Sequence, residues 1–277
     1  MRFAAELLTT LHRAFEGREV PRVHALHLPP VPWTGTRDGE FGAVELDSGA
    51  LGLSYVLLDD TLATIGAAGA AVQGASALEV ARWWAEGSGA RAALGFAAVN
   101  ALTRELFDRA RFAPPAAADS IGGLDPRPGE HIGMVGYFPP LVGQVTAHGA
   151  RLTVLELRAD LVGPHPGFRI TLDPADLASC TQVLSTSTVL LNHTLDDILA
   201  ACRSARRIAL VGPGAGCLPD GLFARGVTLL GGTWIVDAPA FKQALANGTP
   251  WGAATRKFAL SREDYPGLPS LLATLRR

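Results

Sequence analysis

The first residues of the chain carry apolar side chains at a spacing of four. Phe3, Leu7, Leu11 and Phe15 follow this spacing, and charged residues lie between them. Because a helix turns once in about 3.6 residues, the four side chains share one face, which predicts an amphipathic helix and not a signal peptide. No apolar run approaches the ~18 residues that a membrane span requires, so no membrane partner is expected.

Strand-like runs follow this helix, and helical segments come after them. The predicted elements are three strands and then two helices, at residues 22–28, 41–47, 51–58, 77–86 and 90–107. A short turn containing Gly49 separates the second and third strands, which is typical of an antiparallel hairpin. Strands followed by helices, without alternation, indicate a small α+β domain over residues 1–110.

The middle of the chain changes in composition. Residues Asp108–His131 hold four prolines and three glycines, a density that favours turns and loops over helices and strands. Domain boundaries usually fall in such stretches. We therefore predict a connecting segment at residues 111–131 and a second domain at residues 132–277.

Strand-like and helix-like runs alternate beyond the connecting segment. The strand-like runs are residues 132–138, 151–157, 182–187, 207–212 and 227–236, and the helix-like runs are residues 195–205 and 238–247. Several of the strands are continuously apolar, as expected when helices cover both faces of a parallel sheet. The second domain is predicted to be α/β, with a Rossmann-like, mostly parallel sheet. The first crossover is short, so its helix is expected to be reduced or missing.

Composition and charge narrow the range of partners. Hydrophobic residues make up 48% of the 277 and charged residues 18%, which argues for packed cores and against disorder. The net charge of −2 gives no positive field that would attract nucleic acid or anionic lipid. The three cysteines have no CxxC spacing and form no disulfide framework, so a reducing, cytoplasmic location is expected.

Candidate chemistry is expected at the carboxyl ends of the parallel strands, where such sheets bind ligands. The first strand ends in Gly136-Tyr137-Phe138, followed by two prolines that remove amide donors, so no GxGxxG pyrophosphate loop is present. The two rings either line a ligand or pack in the core. Glu156 ends the second strand, 20 residues after Gly136, where Rossmann domains often place an acid for a ribose hydroxyl. It could also bind a metal or a cationic group, or pair with Arg158.

The third strand is followed by polar residues that suit either capping or binding. Thr188 and Asn192 are candidates for ligand contact, while Thr194 and Asp197 have the T-x-x-D spacing of a capping box. His193 is either structural or a ligand.

The fourth strand runs into Gly212-Pro213-Gly214-Ala215-Gly216, the strongest local signal of a ligand loop, with a tight turn as the alternative. Cys217 follows as a possible soft metal ligand. The remaining candidates are Gly232 and Asp237 after the fifth strand, and Lys257 in a chain with one other lysine.

Asn100 stands on an otherwise apolar helix of the first domain. A buried amide must find partners, so it is expected either to face the cleft between the domains or to bond to neighbouring backbone. The common signatures of zincins, α/β-hydrolases and P-loop proteins are absent from the sequence.

Several motifs together resemble one known family. They are Val135-Gly136-Tyr137-Phe138-Pro139, Ser187-Thr188-x-x-x-Asn192-x-Thr194, Val211-Gly212-Pro213, Leu230-Gly231-Gly232-Thr233, Val236-Asp237, Gly95–Ala101 and the hairpin around Gly49. The set resembles the putative heavy-metal-chelation family over nearly the whole chain, although Gly214 and Gly216 depart from its usual pattern. The resemblance implies an N-terminal domain similar to the enolase N-terminal fold, a Rossmann-like domain, and an active site between them.

Three functional hypotheses follow. The sequence does not decide between an enzyme and a binding protein. The first is binding or processing of a small metal-chelating metabolite or a heavy-metal ion in the interdomain cleft. The second is an enzyme that uses a nucleotide-type ligand such as S-adenosylmethionine, and the third is a non-catalytic protein that sequesters a ligand. The cofactor is left open, with a divalent metal ion as the candidate, and a homo-oligomer is compatible with the sequence.

The predicted site residues follow from these arguments. The predicted ligand-binding residues are Asn100, Gly136, Tyr137, Phe138, Glu156, Thr188, Asn192, Gly212, Pro213, Gly232, Asp237 and Lys257. The predicted metal ligands are Glu156, Asp237, Cys217 and His193, chosen as hard oxygen donors and softer sulfur and nitrogen donors.

Overall fold

The structure is a computed structural model that describes residues 3–32, 35, 40–58, 60–119 and 121–275. It has a two-domain α/β fold, with a small antiparallel sheet in the N-terminal part and a large, mostly parallel sheet in the C-terminal part. The predicted fold class is therefore confirmed. Residue 120, which belongs to the predicted connecting segment, lies outside the described residues.

The N-terminal part consists of helices packed on a three-stranded sheet. Its elements are α1 (Phe3–Phe15), β1 (Val23–His27), β2 (Phe41–Leu46), β3 (Leu51–Tyr55), α2 (Thr61–Gly69), α3 (Ala77–Glu86) and α4 (Gly89–Arg109). The sheet order is β1-β2-β3, with antiparallel pairs throughout. Phe3, Leu7, Leu11 and Phe15 are all buried, as the four-residue spacing predicts. The turn at Gly49 has a φ of 87°, which suits glycine.

Helix α4 lies directly against β3 because Gly52 has no side chain. A Cβ atom at Gly52 would lie 2.1 Å from the backbone nitrogen of Ala101, so any larger residue would push helix and strand apart. This close approach puts the middle of α4, including Asn100, beside the strand and toward the C-terminal part.

The C-terminal part alternates strands and helices, as the sequence predicts. Its strands are β4 (His131–Val135), β5 (Arg151–Leu155), β6 (Gly163–His165), β7 (Phe168–Thr171), β8 (Gln182–Thr186), β9 (Arg207–Val211), β10 (Leu229–Ile235) and β11 (Thr255–Ser261). Its helices are α5 (Pro139–Thr146), α6 (Thr188–Leu191), α7 (Leu195–Ala201), α8 (Asp220–Ala224), α9 (Ala238–Ala246) and α10 (Leu268–Thr274).

The large sheet reverses its winding direction at one point. Within the described residues its order is β11-β10-β9-β8-β4-β5-β7-β6, and β6 and β11 are antiparallel to their neighbours. The chain goes from β4 to β5 on one side and later to β8 on the other, so the switch point lies between β4 and β8. Ligands of open α/β sheets bind at the carboxyl ends of the strands that flank such a point.

Several elements differ from the sequence prediction, among them the unpredicted helices α2, α6, α8 and α10. The first crossover does contain a helix, α5, which begins at Pro139; proline is tolerated there because the first helical N–H groups need no partner. The hairpin β6–β7 and the strand β11 are not predicted, because β6 contains Gly163 and Pro164 and β11 has only a weak apolar alternation.

The two parts share one continuous core. Trp84 of α3 donates its indole N–H to the carbonyl of Leu190 in α6, over 3.0 Å, and is fully buried. A second buried group joins β2 and β3 to α9 through Phe41, Leu53 and Phe241. We call this whole contact, between α3, α4, β2 and β3 on one side and the C-terminal sheet on the other, the interdomain seam.

Apart from His131, which begins β4, the described residues of the predicted connecting segment form neither a helix nor a regular strand. Ala116 nevertheless bridges to Phe258 of β11, and the Ala117 N–H donates to the Lys257 carbonyl over 3.1 Å. The segment is thus fastened to the edge of the large sheet. The domain limits at 110 and 132 remain a prediction.

Candidate functional site

Several residues predicted at strand ends come together at the switch point. Gly136 follows β4, with a φ of 83°, while Thr186 is the last residue of β8 and Thr188 begins α6. Glu156 follows β5, and its Oε2 accepts a hydrogen bond from the Tyr137 N–H over 2.8 Å. We call this group of five residues, Gly136, Tyr137, Glu156, Thr186 and Thr188, the switch-point site.

The carboxylate of Glu156 is held by backbone amides. Its Oε1 accepts the Leu157 N–H over 2.7 Å, in addition to the bond from Tyr137. The alternative of an ion pair with Arg158 is wrong, because Arg158 pairs with Asp160 at 2.6 Å. The charge of Glu156 also reaches the N-terminal part: the pKa of Tyr55, at the end of β3, is raised by burial and further by Glu40 and Glu156.

The loop after β4 offers little to a pyrophosphate. Helix α5 begins with Pro139 and Pro140, which have no N–H groups, so its first turn lacks the donors that cradle phosphates. The ring of Tyr137 stacks on Phe168, with centroids 5.9 Å apart, and Phe138 packs against the apolar cluster of the sheet. The two rings therefore pack against the sheet, and their contact with a ligand stays a prediction.

The ends of β8 and β9 lie unusually close together. Gly212 has a φ of 146°, and a Cβ atom there would lie 2.5 Å from the hydroxyl oxygen of Ser187. Only glycine fits this position, which explains the first glycine of the loop. Thr186 donates its hydroxyl to Thr188 over 3.0 Å and accepts the Thr188 N–H, so both hydroxyls are already engaged.

The polar residues after β8 have structural partners. Asn192 accepts the N–H and the hydroxyl of Thr194 through Oδ1, at 3.3 and 2.7 Å, so the predicted capping role of the Thr194 side chain is wrong. His193 has a φ of 61°, bonds through Nε2 to the Trp84 carbonyl at 2.8 Å, and stacks on the Trp84 ring. His193 thus fastens the loop between α6 and α7 to the N-terminal part, whereas Asn192 stabilises that loop itself.

A small cavity lies in the interdomain seam beyond the glycine loop. Its volume is about 30 Å³, and residues of both parts line it, among them Asn100, Arg104, Pro213, Gly216, Thr233 and Trp234. Asn100 is buried and donates both N–H groups, to the Leu53 carbonyl at 2.7 Å and the Gly214 carbonyl at 2.9 Å. Its Oδ1 is also buried and has no partner among the described residues. We call this place the cavity site.

Arg104 and Trp234 complete the lining of the cavity site, and Arg256 lies beside Trp234 outside that lining. Arg104 follows Asn100 by one helical turn; its guanidinium lies 3.8 Å from the Trp234 ring centre and donates to the Ile235 carbonyl over 3.1 Å. Arg256 lies 5.6 Å from the same ring. The sequence reading missed all three. The i, i+4 spacing of Asn100 and Arg104 was a signal that could have indicated Arg104.

The four predicted metal ligands do not form one centre. Cys217 is fully buried, and burial raises the pKa of its thiol to about 12, so it stays protonated. Asp237 is exposed and caps α9 by accepting the Ala240 N–H over 3.0 Å. With His193 and Glu156 engaged as described, no group of three His, Cys, Asp or Glu side chains in the described part of the chain could hold a metal ion.

The last two predicted residues lie apart from the cavity. Gly232 is buried in β10, where a Cβ atom would lie 2.6 Å from the Phe258 ring, so it serves packing. Lys257 is exposed on β11. Among the described residues, no helix has the length and apolar character needed to cross a membrane.

Comparison with known families and structures gives a consistent result. Residues 119–263 match the model of the DUF364 family, described as "Putative heavy-metal chelation", and residues 40–103 match that of DUF4213, with the same description. No curated protein matches the chain.

Two solved structures of DUF364 proteins of unknown function share the fold. The one from Desulfitobacterium hafniense is 21% identical, with a TM-score of 0.68, covering 94% of this chain and 100% of its own. The one from Pyrococcus horikoshii is 19% identical, with a TM-score of 0.65, covering 93% and 99%. At these identities the likeness shows the fold alone.

Proposed function

The chain belongs to the DUF364 family, described as "Putative heavy-metal chelation", and from this premise we propose that it binds a small metal-chelating metabolite in the interdomain seam. The metal is cargo, carried by the metabolite, and not an ion held directly by side chains. One observation carries the proposal: Asn100 lines a cavity between the two parts of the molecule, and its buried Oδ1 has no partner among the described residues.

The donor chemistry of the seam favours a chelate over a bare ion. Soft metals prefer thiolate and imidazole, but Cys217 is a buried thiol and the Nε2 of His193 is bonded to the Trp84 carbonyl. The charged group at the cavity site is the guanidinium of Arg104, which repels a free cation and attracts the anionic groups of a chelator.

The test compares metal, chelator and complex on the same protein. Thermal unfolding is measured with Ni²⁺ alone, citrate alone and the Ni²⁺–citrate complex, with metal content checked after desalting. A bound ligand raises stability by RT ln(1 + [L]/Kd), about 2.7 kcal/mol at a hundredfold excess over Kd. We expect the complex to raise the midpoint most. A larger rise with Ni²⁺ alone would contradict the proposal.

A nucleotide-type ligand such as S-adenosylmethionine is the second candidate. The observation in its favour is the position of Glu156 at the end of β5, beside the switch point, where Rossmann-like domains bind ribose hydroxyls. Adenosine and S-adenosylmethionine in the same thermal assay test it. This candidate requires a rise in the midpoint that needs no metal and disappears in Glu156→Gln.

A further inference from the structure

Asn100 lines the cavity, and the orientation of its side-chain amide is fixed. Both N–H groups of its amide point at carbonyl oxygens, those of Leu53 and Gly214, which can only accept. The amide therefore cannot be flipped, and the atom left without a partner is the oxygen. A group that satisfies it must carry an N–H or an O–H.

Arg104 presents donors beside this acceptor. Its Nε donates to Asp108 over 2.7 Å and its Nη1 to the Ile235 carbonyl, while its Nη2 has no partner among the described residues. Stacking on Trp234 fixes the guanidinium plane, and 22% of the side chain remains exposed. A guanidinium held in this way can still donate a charge-assisted hydrogen bond from Nη2 to a carboxylate.

A second guanidinium, that of Arg256, lies beside the cavity without lining it, and its Nη2 donates to the Pro114 carbonyl over 2.7 Å. Arg256 is the cross-strand partner of Trp234 in the β10–β11 register, and its Nη1 is buried without a partner among the described residues. Its pKa is lowered by burial and by the charge of Arg104. The carboxylate that pairs with Arg104, Asp108, is 43% exposed and neutralises only one of the two guanidinium groups. The surroundings of the cavity therefore favour an anion.

We infer that the cavity site binds the head group of an α-hydroxy- or α-amino-carboxylate, whose carboxylate accepts from Arg104 while its hydroxyl or amine donates to the Oδ1 of Asn100. The inference rests on the proposed function and names the ligand class, since carboxylates with an adjacent oxygen or nitrogen donor are bidentate metal ligands. A plain carboxylate would leave Asn100 facing another acceptor, and a cation would face Arg104.

The size of the cavity agrees with a head group only. About 30 Å³ is room for roughly two water molecules, so the cavity would admit only the polar atoms that meet Asn100 and Arg104 and is far too small for a nucleoside. The rest of the ligand would extend outside the cavity. Ordered water bound to Asn100 and nothing else is the competing explanation.

Malate and succinate are the probes, because they differ by one hydroxyl group. Titration calorimetry is done on the full chain without metal. We expect malate to bind at least tenfold more tightly than succinate, because the hydroxyl group of malate can donate to the Oδ1 of Asn100 and succinate has no such donor. Equal affinities, or no binding of malate, would overturn the inference and leave ordered water as the partner of Asn100.

Three variants locate the site. Arg104→Gln removes the charge, and Gly216→Ala adds a methyl group about 3.5 Å from the Oδ1 of Asn100, at a glycine whose φ lies outside the left-handed region. Both should weaken malate binding at least tenfold while thermal unfolding shows a folded protein. Arg91→Gln is the matched control, because Arg91 lies in the same helix and 4.1 Å from the ring of Trp83, but on the exposed surface. Unchanged malate affinity in both Arg104→Gln and Gly216→Ala would place the ligand elsewhere.

The outcome separates this inference from the proposed function. If malate binds through Arg104 but the Ni²⁺–citrate complex gives no stabilisation, the ligand class is right and the metal-chelate function is wrong. If the complex binds equally well to the wild type and Arg104→Gln, the function stands and the head-group assignment fails.

Discussion

The switch-point site and the cavity site differ in how many of their polar groups already have hydrogen-bond partners. At the switch-point site, both oxygens of Glu156 accept backbone N–H groups, and the hydroxyls of Thr186 and Thr188 bond to each other. At the cavity site, the Oδ1 of Asn100 and the Nη2 of Arg104 have no partner among the described residues. Analogy with Rossmann folds predicts a ligand at the switch-point site, whereas the polar groups that have no partner predict one at the cavity site.

The largest effect is expected from removing the amide that joins the two parts. Asn100→Ala removes a donor from the buried Leu53 carbonyl and one of the two donors of the Gly214 carbonyl, which also accepts the Gly216 N–H, so the free energy of unfolding should fall by about 2–4 kcal/mol. Urea unfolding measures it. Thr103→Val is the control on the same helix, since its hydroxyl bonds only to the Val99 carbonyl, and it should cost less than about 1 kcal/mol. A loss in Asn100→Ala as small as in the control would mean that the amide does not fasten the seam.

At the switch-point site, Glu156→Gln should lower the free energy of unfolding but have little effect on ligand binding at the cavity site. Losing the negative acceptor for the Tyr137 and Leu157 amides should cost about 1–2 kcal/mol, because charged hydrogen bonds are stronger than neutral ones. Malate affinity should stay within about twofold, since Glu156 does not line the cavity. A tenfold loss of malate affinity would show instead that the two sites act as one.

A cluster of charged side chains across the interdomain seam should make the stability of the protein depend on pH. Glu45 of β2 bonds to His27 of β1 at 2.7 Å and to Lys242 of α9 at 2.9 Å. Burial alone would raise the pKa of Glu45, but the bonds from Lys242 and His27 lower it below its usual 4.5. A lowered pKa in the folded state stabilises the protein above about pH 4.5, and this stability is lost as the pH falls through the folded value.

We therefore expect Glu45→Gln to lower the free energy of unfolding by about 1 kcal/mol at pH 7, a figure reduced for the partial exposure of Lys242. The difference from the wild type should shrink when urea unfolding is repeated near pH 4. A difference that stays constant between the two pH values would show that the charge of Glu45 does not hold the seam.

The smallest effect is expected at Lys257, one of the residues that the sequence singled out. Its side chain is exposed on β11, so Lys257→Ala should change the free energy of unfolding by less than about 0.5 kcal/mol. Malate affinity should also be unchanged. A tenfold loss of affinity would extend the cavity site to the surface of β11.

The fold could be predicted from sequence wherever local pattern and burial agree. Continuous apolar runs located β4, β5, β8 and β9, since both faces of these central strands are covered. The edge strands β6 and β11 were not predicted, because an edge strand needs less burial and β6 tolerates Gly163 and Pro164.

The candidate site was predictable only in part. Asn100 was found because an amide on an apolar helix has to be satisfied somewhere. Arg256 and Trp234 could not be found, because they meet Arg104 only through the β10–β11 register and the packing of α4. His193 and Asn192 looked like ligands because the sequence does not show that backbone groups already occupy them.

The fastening of the connecting segment has a consequence for self-association. An open strand edge offers unpaired N–H and C=O groups to other copies and is a common route to aggregation. Residues 115–117 occupy that edge of β11, and the opposite edge, β6, is three residues long and carries Pro164, which has no N–H to donate. Any homo-oligomer of this chain is therefore expected to form through side-chain surfaces and not by joining the large sheets of two copies edge to edge.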